Sequence, residues 1–294
     1  MICKNRNWIF QQMLSQQFQA SSIRDLSRGE AERRIRARCV AHYLGDHEIL
    51  CRCLGQFKMF VDSRDVGFAS HIIMDGFWEF WITQFIAAEL KEGAIALDVG
   101  ANFGYYTLLM SELIGPSGRC IAVEPNAEVA AKLRKTISVN GFERRAILHE
   151  VALGRVASGQ TSLFIPYGEP KNAAVVRDDA QADSASGRIV RVKQATVDSI
   201  CADLSRLDFI KIDAEGAEAD IVEGMTRVIA RFEPSILLEF NAARGYDVRE
   251  LIGSLFHTYG MLRYVDFDGG LKPVTLERLE TEHVGQDWML YFSR

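Results

Sequence analysis

Residues 94–107 constrain this chain more than any other stretch of it. Ile95-Ala96-Leu97 is apolar at successive positions, the mark of a parallel strand buried on both faces. The strand runs into Asp98, turns through Gly100, Asn102 and Gly104, and passes into a helical run over 105–113. In an open α/β sheet a ligand sits beyond the carboxyl ends of the strands. Backbone approaches that ligand closely only where side chains are missing, which accounts for Gly100 and Gly104. Asn102 stands in for a middle glycine, since asparagine is one of the few other residues that accept positive φ.

The alternation continues along the chain. Strands are expected at 120–123, 146–151, 208–212, 236–240, 262–267 and 288–292, and helices at 128–140, 217–231 and 247–259. Repeated strand–helix–strand units build a doubly wound α/β sheet. Residues 1–90 read differently. The first 45 are helical in spacing, with Ser27 and Glu30 placed as a capping box. Residues 49–54 and 58–61 flank Gly55-Gln56-Phe57 as a hairpin, and Phe77-Trp78-Glu79-Phe80-Trp81-Ile82 opens an aromatic-rich helix. The expected division is a helical and hairpin cap over 1–90 and a ligand-binding domain over 91–294. Within the latter, 161–192 breaks the rhythm with Pro166, Pro170 and an acidic run over 178–184. It reads as an insertion or lid.

Glu124 ends the second strand and is followed by Pro125. A carboxylate there accepts hydrogen bonds from both hydroxyls of a ribose. Strand end, glycine turn, helix and second acid together point to a nucleoside-type cofactor. The dinucleotide pattern G-x-G-x-x-G is absent, and Asp98 precedes the loop. An acid at that place suits a cofactor with a cationic amino-acid end better than one with a pyrophosphate.

Lys211 lies inside an otherwise apolar strand, Phe209-Ile210-Lys211-Ile212, where an unpaired charge is costly. One account is a structural pair with Asp213 or Glu239. The other places Lys211 and Asp213 at the mouth of the cleft, as working groups. Glu215 and Glu218 follow at a helix start, where acids favour the dipole without further role.

A net charge of −5 argues against a chain whose main partner is a polyanion; the arginine-rich run 28–38 reads as a solvated helix face. No apolar stretch reaches membrane-spanning length and no signal peptide is evident, so a cytoplasmic location is expected. The six cysteines are scattered, unlike a disulfide framework. Cys51-Arg52-Cys53, near His42 and His47, reads as alternate strand residues rather than a metal knuckle.

Asp98-Val99-Gly100-Ala101-Asn102-Phe103-Gly104, Val123-Glu124-Pro125-Asn126, Ala152-Leu153-Gly154 and the block from Ile210 to Glu218 resemble, in this order, the motifs of FkbM-family methyltransferases. The resemblance implies a seven-stranded Rossmann-like methyltransferase sheet with its last strand antiparallel, and S-adenosylmethionine as cofactor. It further implies O-methylation of a hydroxyl on a sugar, glycolipid or polyketide-type product, with a small-molecule or glycan acceptor; nucleic acid is not an expected partner of so acidic a chain. By position, Asp98, Gly100 and Asn102 line the methionine end, Glu124 holds the ribose, and Glu150 or Val151 lies near the adenine. Where family members often carry Glu-x-His, this chain has Glu239-Phe240-Asn241, so a carboxylate, Asp213 or Glu239, is the expected base. Asp213, Glu239 and Asn241 are also a conceivable oxygen donor set for Mg²⁺. An NAD-dependent oxidoreductase and a non-catalytic nucleotide-binding module are the alternatives.

Overall fold

The structure, a computed structural model, describes residues 18–157, 159–176 and 185–294. The acidic run 178–184 and the polar start of the chain lie outside them. Helix Arg28–Arg36 leads to three antiparallel strands, β1 (Ala41–Gly45), β2 (Glu48–Cys53) and β3 (Phe57–Asp62). The expected hairpin is therefore present, but the end of the expected helical zone is a strand. Pairing of Ala41, His42 and Tyr43 with Cys51, Leu50 and Ile49 outweighs helical spacing there. Ser27 precedes the helix without a side-chain cap, because Glu30 is engaged by Arg33 and Arg34 instead. Cys51 and Cys53 are buried on one face of β2 with Arg52 exposed between them.

The ligand-binding half begins with β4 (Ile95–Val99), β5 (Arg119–Val123) and β6 (Ala146–His149). The strands β7 (Ala152–Leu153), β8 (Gln160–Pro166), β9 (Ala174–Val176) and β10 (Gly187–Ala195) then form a separate four-stranded sheet. The segment expected to be a lid thus carries ordered strands, with β8 and β10 paired antiparallel from Gln160–Lys193 to Pro166–Gly187. Last come β11 (Phe209–Ile212), β12 (Ser235–Phe240), β13 (Arg263–Val265), β14 (Leu271–Pro273) and β15 (Trp288–Phe292).

The main sheet has eight strands in the order β14-β13-β15-β12-β11-β4-β5-β6. Strands β6, β5, β4, β11 and β12 are parallel, and β15 runs antiparallel between β12 and β13. This is the sheet order that the resemblance implies, its antiparallel strand included, with β14 added at the edge. Successive strand residues feed opposite layers: Ala96 packs with helix Tyr105–Leu113 and the cap, Leu97 with the helices after β11 and β12. In register, Lys211 of β11 faces Asp98 of β4. The helix expected over 217–231 breaks into Glu218–Glu223 and Thr226–Phe232. At the break, a Cβ on Gly224 would lie 2.1 Å from the Gly154 carbonyl oxygen, so the backbone there packs directly against another chain segment.

Candidate functional site

The turn after β4 is built around close backbone approach. Gly100 has φ +73°, and a Cβ on it would fall 1.8 Å from the carbonyl oxygen of Asp213. Only glycine lets the ends of β4 and β11 come this near. Asn102 holds φ +51°, and its side-chain oxygen accepts the Phe103 N–H at 2.8 Å, which stabilises the left-handed turn. Gly104 serves packing instead, since a Cβ there would lie 2.5 Å from Leu133 of the next helix.

Glu124 closes the second strand end and ties the two connections together. Its carboxylate accepts the N–H of Asn102 at 3.0 Å and of Asn126 at 2.8 Å. Burial, partly offset by these two bonds, pushes the carboxyl up to about 7. Asn126 caps helix Ala127–Val139 and donates from its side chain to the Pro170 carbonyl at 2.9 Å, which draws the insertion over the cleft.

Beneath the loop lies a chain of buried charges. Asp98 is fully buried and accepts the Thr107 hydroxyl at 2.6 Å. Lys211, also buried, lies 2.9 Å from Asp213 Oδ2 and 4.8 Å from the Tyr106 ring centroid. Burial works against its charge, but Asp213 and Asp98 outweigh burial and hold the ammonium pKa up to about 12. For Asp213 burial is likewise overcome, by Lys211 and by a hydrogen bond from Glu239, so its carboxyl sits below the usual range. Glu239 moves the other way: burial and the charge of Asp213 hold it well above that range. Within the pair, Asp213 is the ionised member and Glu239 the proton donor.

Two residues that the sequence did not single out complete the arrangement. Arg244, in the turn after β12, stands 2.7 Å from Glu239, 2.9 Å from Glu218, 3.2 Å from Glu215 and 3.4 Å from Asp287. No motif precedes it; it reaches the site from a single 3-10 turn, Ala242–Arg244, capped by Asn241. Glu79 takes φ +36° ahead of helix Phe80–Glu89 and accepts the Tyr106 hydroxyl at 2.9 Å. Burial, then Asp213, push its carboxyl up to about 7. The only sequence signal was a lone acid within an aromatic run. Glu218 is more than a dipole acid: fully buried, it accepts the N–H groups of Ala214 and Gly216, both at 3.1 Å, and braces the loop after β11.

These groups border a cavity of about 330 Å³, within the range of small-molecule sites. Gly100, Asn102, Glu124, Pro125, Val151, Asp213 and Glu239 all line it, as do Glu79, Arg244 and Asp287. Trp78 and, from the insertion, Lys171 and Asn172 cover it. Asp98, Gly104 and Lys211 do not reach its surface; they act from beneath. Glu150 is a correction: its side chain turns outward to Arg134, since the strand end directs Val151 inward instead. The donor set conceived for Mg²⁺ is spoken for. Lys211 and Arg244 occupy the two carboxyls, and Asn241 accepts from Ala243 at 3.0 Å while donating to Asp287 at 2.9 Å. Among the described residues no group of three or more His, Cys, Asp or Glu is placed to hold a metal.

The model of the methyltransferase FkbM domain matches residues 98–266. Protein-L-isoaspartate O-methyltransferase of Ignicoccus hospitalis is 36% identical over 62 residues, 21% of this chain and 29% of that protein. The enzyme of the same name from Aeropyrum pernix is 38% identical over 84 residues, 29% of this chain and 31% of that protein. The chain thus spans under a third of the length of these relatives. The crystal structure of methyltransferase FkbM from Methylobacillus flagellatus is similar with TM-score 0.43 and 18% identity, covering 69% of this chain and 44% of that one. With more than half of its length matched by the family model, this chain belongs to the FkbM methyltransferase family.

Proposed function

We propose that the protein methylates a hydroxyl oxygen on a sugar, glycolipid or polyketide-type acceptor, by in-line transfer with a carboxylate base. One observation carries this reading: an ionised Asp213, paired with Lys211 and hydrogen-bonded by Glu239, borders the same cavity as Glu124. When bound, S-adenosylmethionine supplies an electrophilic methyl on a sulfonium, already a good leaving group. The residues fit it. Glu124 would accept the ribose hydroxyls, Pro125 and Val151 would flank the base, and Gly100 with Asn102 would leave backbone free for the methionine end. Asp98 and Lys211 support this surface from below.

The chain's remaining task is to align the acceptor oxygen and remove its proton. Asp213 takes that proton. Lys211 keeps it ionised until then, and Glu239 and Arg244 fix its orientation. The cap, through Trp78 and Glu79, and the insertion, through Lys171 and Asn172, border the cavity of a catalytic domain over 91–294. No helix among the described residues is long and apolar enough to cross a membrane; a cytoplasmic location and an acceptor other than nucleic acid accompany the proposal.

The test is methyl-label transfer from S-adenosylmethionine to an extract of the source organism, with mass identification of the product. A labelled ether supports the reading. A labelled carboxyl, amine or carbon centre overturns it. In the same assay Asp213→Asn should bind cofactor normally yet lose turnover; equal loss of both would make Asp213 a scaffold residue.

A further inference from the structure

Beside the cofactor cavity lies a second recess of about 200 Å³. The two share one wall, made by Glu79, Glu239 and Asp287. The other sides of the recess are largely aromatic: Trp81, Tyr264, Phe267, Trp288 and the imidazole of His283. Trp81 and Phe267 meet edge to face with centroids 5.0 Å apart. Phe267 is 68% exposed, a large ring left in water at the mouth.

Two lining residues adopt the left-handed region that side chains avoid, Glu79 at φ +36° and His283 at φ +54°. Such strain costs ~1–3 kcal/mol per residue and collects at ligand sites, where the surroundings impose it. The polar lining is one-sided as well. Arg278 of the lining is paired with Glu282 at 2.8 Å. The shared wall consists of carboxyl groups alone.

We propose that this recess is the acceptor subsite and that it takes an uncharged, polyhydroxylated ring of pyranose type, which presents one hydroxyl at the shared wall. This rests on the methyltransferase reading above. Aromatic sides offer apolar contact to a ring face, and a few convergent polar groups fix its orientation. Carboxyls accept hydroxyl donors readily. An anionic acceptor would bring a second negative charge to the boundary with the ionised Asp213 and against Asp287, and is disfavoured. A hydroxyl at this wall lies at the boundary with the cavity that Glu124 and Asp213 line.

The test uses the full chain saturated with S-adenosylhomocysteine, its affinity measured by calorimetry. Saturation-transfer NMR then follows methyl α-D-glucopyranoside, methyl α-L-rhamnopyranoside and, as the charged counterpart, D-glucuronate. The neutral glycosides should bind, and glucuronate should bind about tenfold more weakly. Trp81→Ala and the exposed-site variant Phe267→Ala should each weaken glycoside binding about tenfold, as loss of an aromatic anchor does. Affinity for S-adenosylhomocysteine should stay unchanged in both. The proposal is overturned if the nucleoside binds but neither glycoside does, if both variants bind glycoside like the wild type, or if glucuronate binds equally well. Failure of the wild type to bind S-adenosylhomocysteine would instead remove the methyltransferase reading, and the subsite with it.

Discussion

The Lys211 ammonium lies 2.9 Å from Asp213 Oδ2 in a strand position that is otherwise wholly apolar. An ammonium buried this deeply stays charged because Asp213 and Asp98 flank it. Among the described residues, Lys211 is the one cation on which both carboxyls depend.

Lys211→Met should therefore destabilise the protein by about 3–5 kcal/mol, the usual cost of stranding the partner of a buried ion pair. Urea denaturation followed by circular dichroism reads this directly. An unchanged midpoint would mean that water, not lysine, compensates Asp98 and Asp213.

Glu124 makes cofactor affinity depend on pH. Its pKa is raised on folding from an ordinary 4.5 to about 7, so the folded state favours the protonated acid. The sign follows: Glu124 withdraws stability as pH rises through that window, and the ionised form that ribose hydroxyls require appears only towards its top. Affinity for S-adenosylmethionine should rise from pH 6 to pH 8, with a ceiling of about tenfold per pH unit. Calorimetry on Glu124→Gln should show weak binding without this slope; a retained slope would assign it to Glu79 or another group.

Gly100→Ala meets both strain and collision, because the new methyl would fall 1.8 Å from the Asp213 carbonyl oxygen. A loss of roughly 2–4 kcal/mol, with loss of cofactor binding, is expected. Gly141 offers a control. It too has positive φ, +71°, but nothing lies within 4 Å of a Cβ placed there. Gly141→Ala should cost about 1 kcal/mol and leave binding intact. Thermal melts of the two variants, side by side, separate strain from collision.

Arg244→Met should unfold more readily at alkaline than at acidic pH. Without the guanidinium, the folded pKa of Glu215, already raised by burial, moves further up, so ionising it destabilises the folded state increasingly as pH rises. The gap in thermal midpoint between variant and wild type should be wider at pH 8 than at pH 5.5. A constant gap would mean that Arg244 acts through packing alone.

What was legible in the sequence was whatever repeats a period or needs a special backbone. Alternating apolar strands and the helix Tyr105–Leu113 were readable because burial on both faces keeps most of their positions apolar. Gly100 and Asn102 were readable because positive φ narrows the choice of residue. The first strand of the cap was not, since Ala41-His42-Tyr43 takes its conformation from β2 rather than from itself. Nor was the break at Gly224, which answers to Gly154 some seventy residues earlier. Arg244 and Glu79 gain their significance from neighbours on other elements, and a linear reading has no way to bring those neighbours near.

The pairing of Lys211 with Asp98 across adjacent strands has a consequence for how the sheet assembles. Most of the residues flanking them, Phe209, Ile210 and Ile212 on one strand and Ala96, Leu97 and Val99 on the other, are apolar and would tolerate being slid past one another. A slip of two positions preserves which face each side chain takes, so hydrophobic burial alone discriminates poorly against it. The same slip would set the ammonium against Ala96 and abandon Asp98 inside the sheet. The buried charge pair thus acts as an alignment mark: it admits one threading of β11 against β4, the one that brings Asp213 beside Gly100.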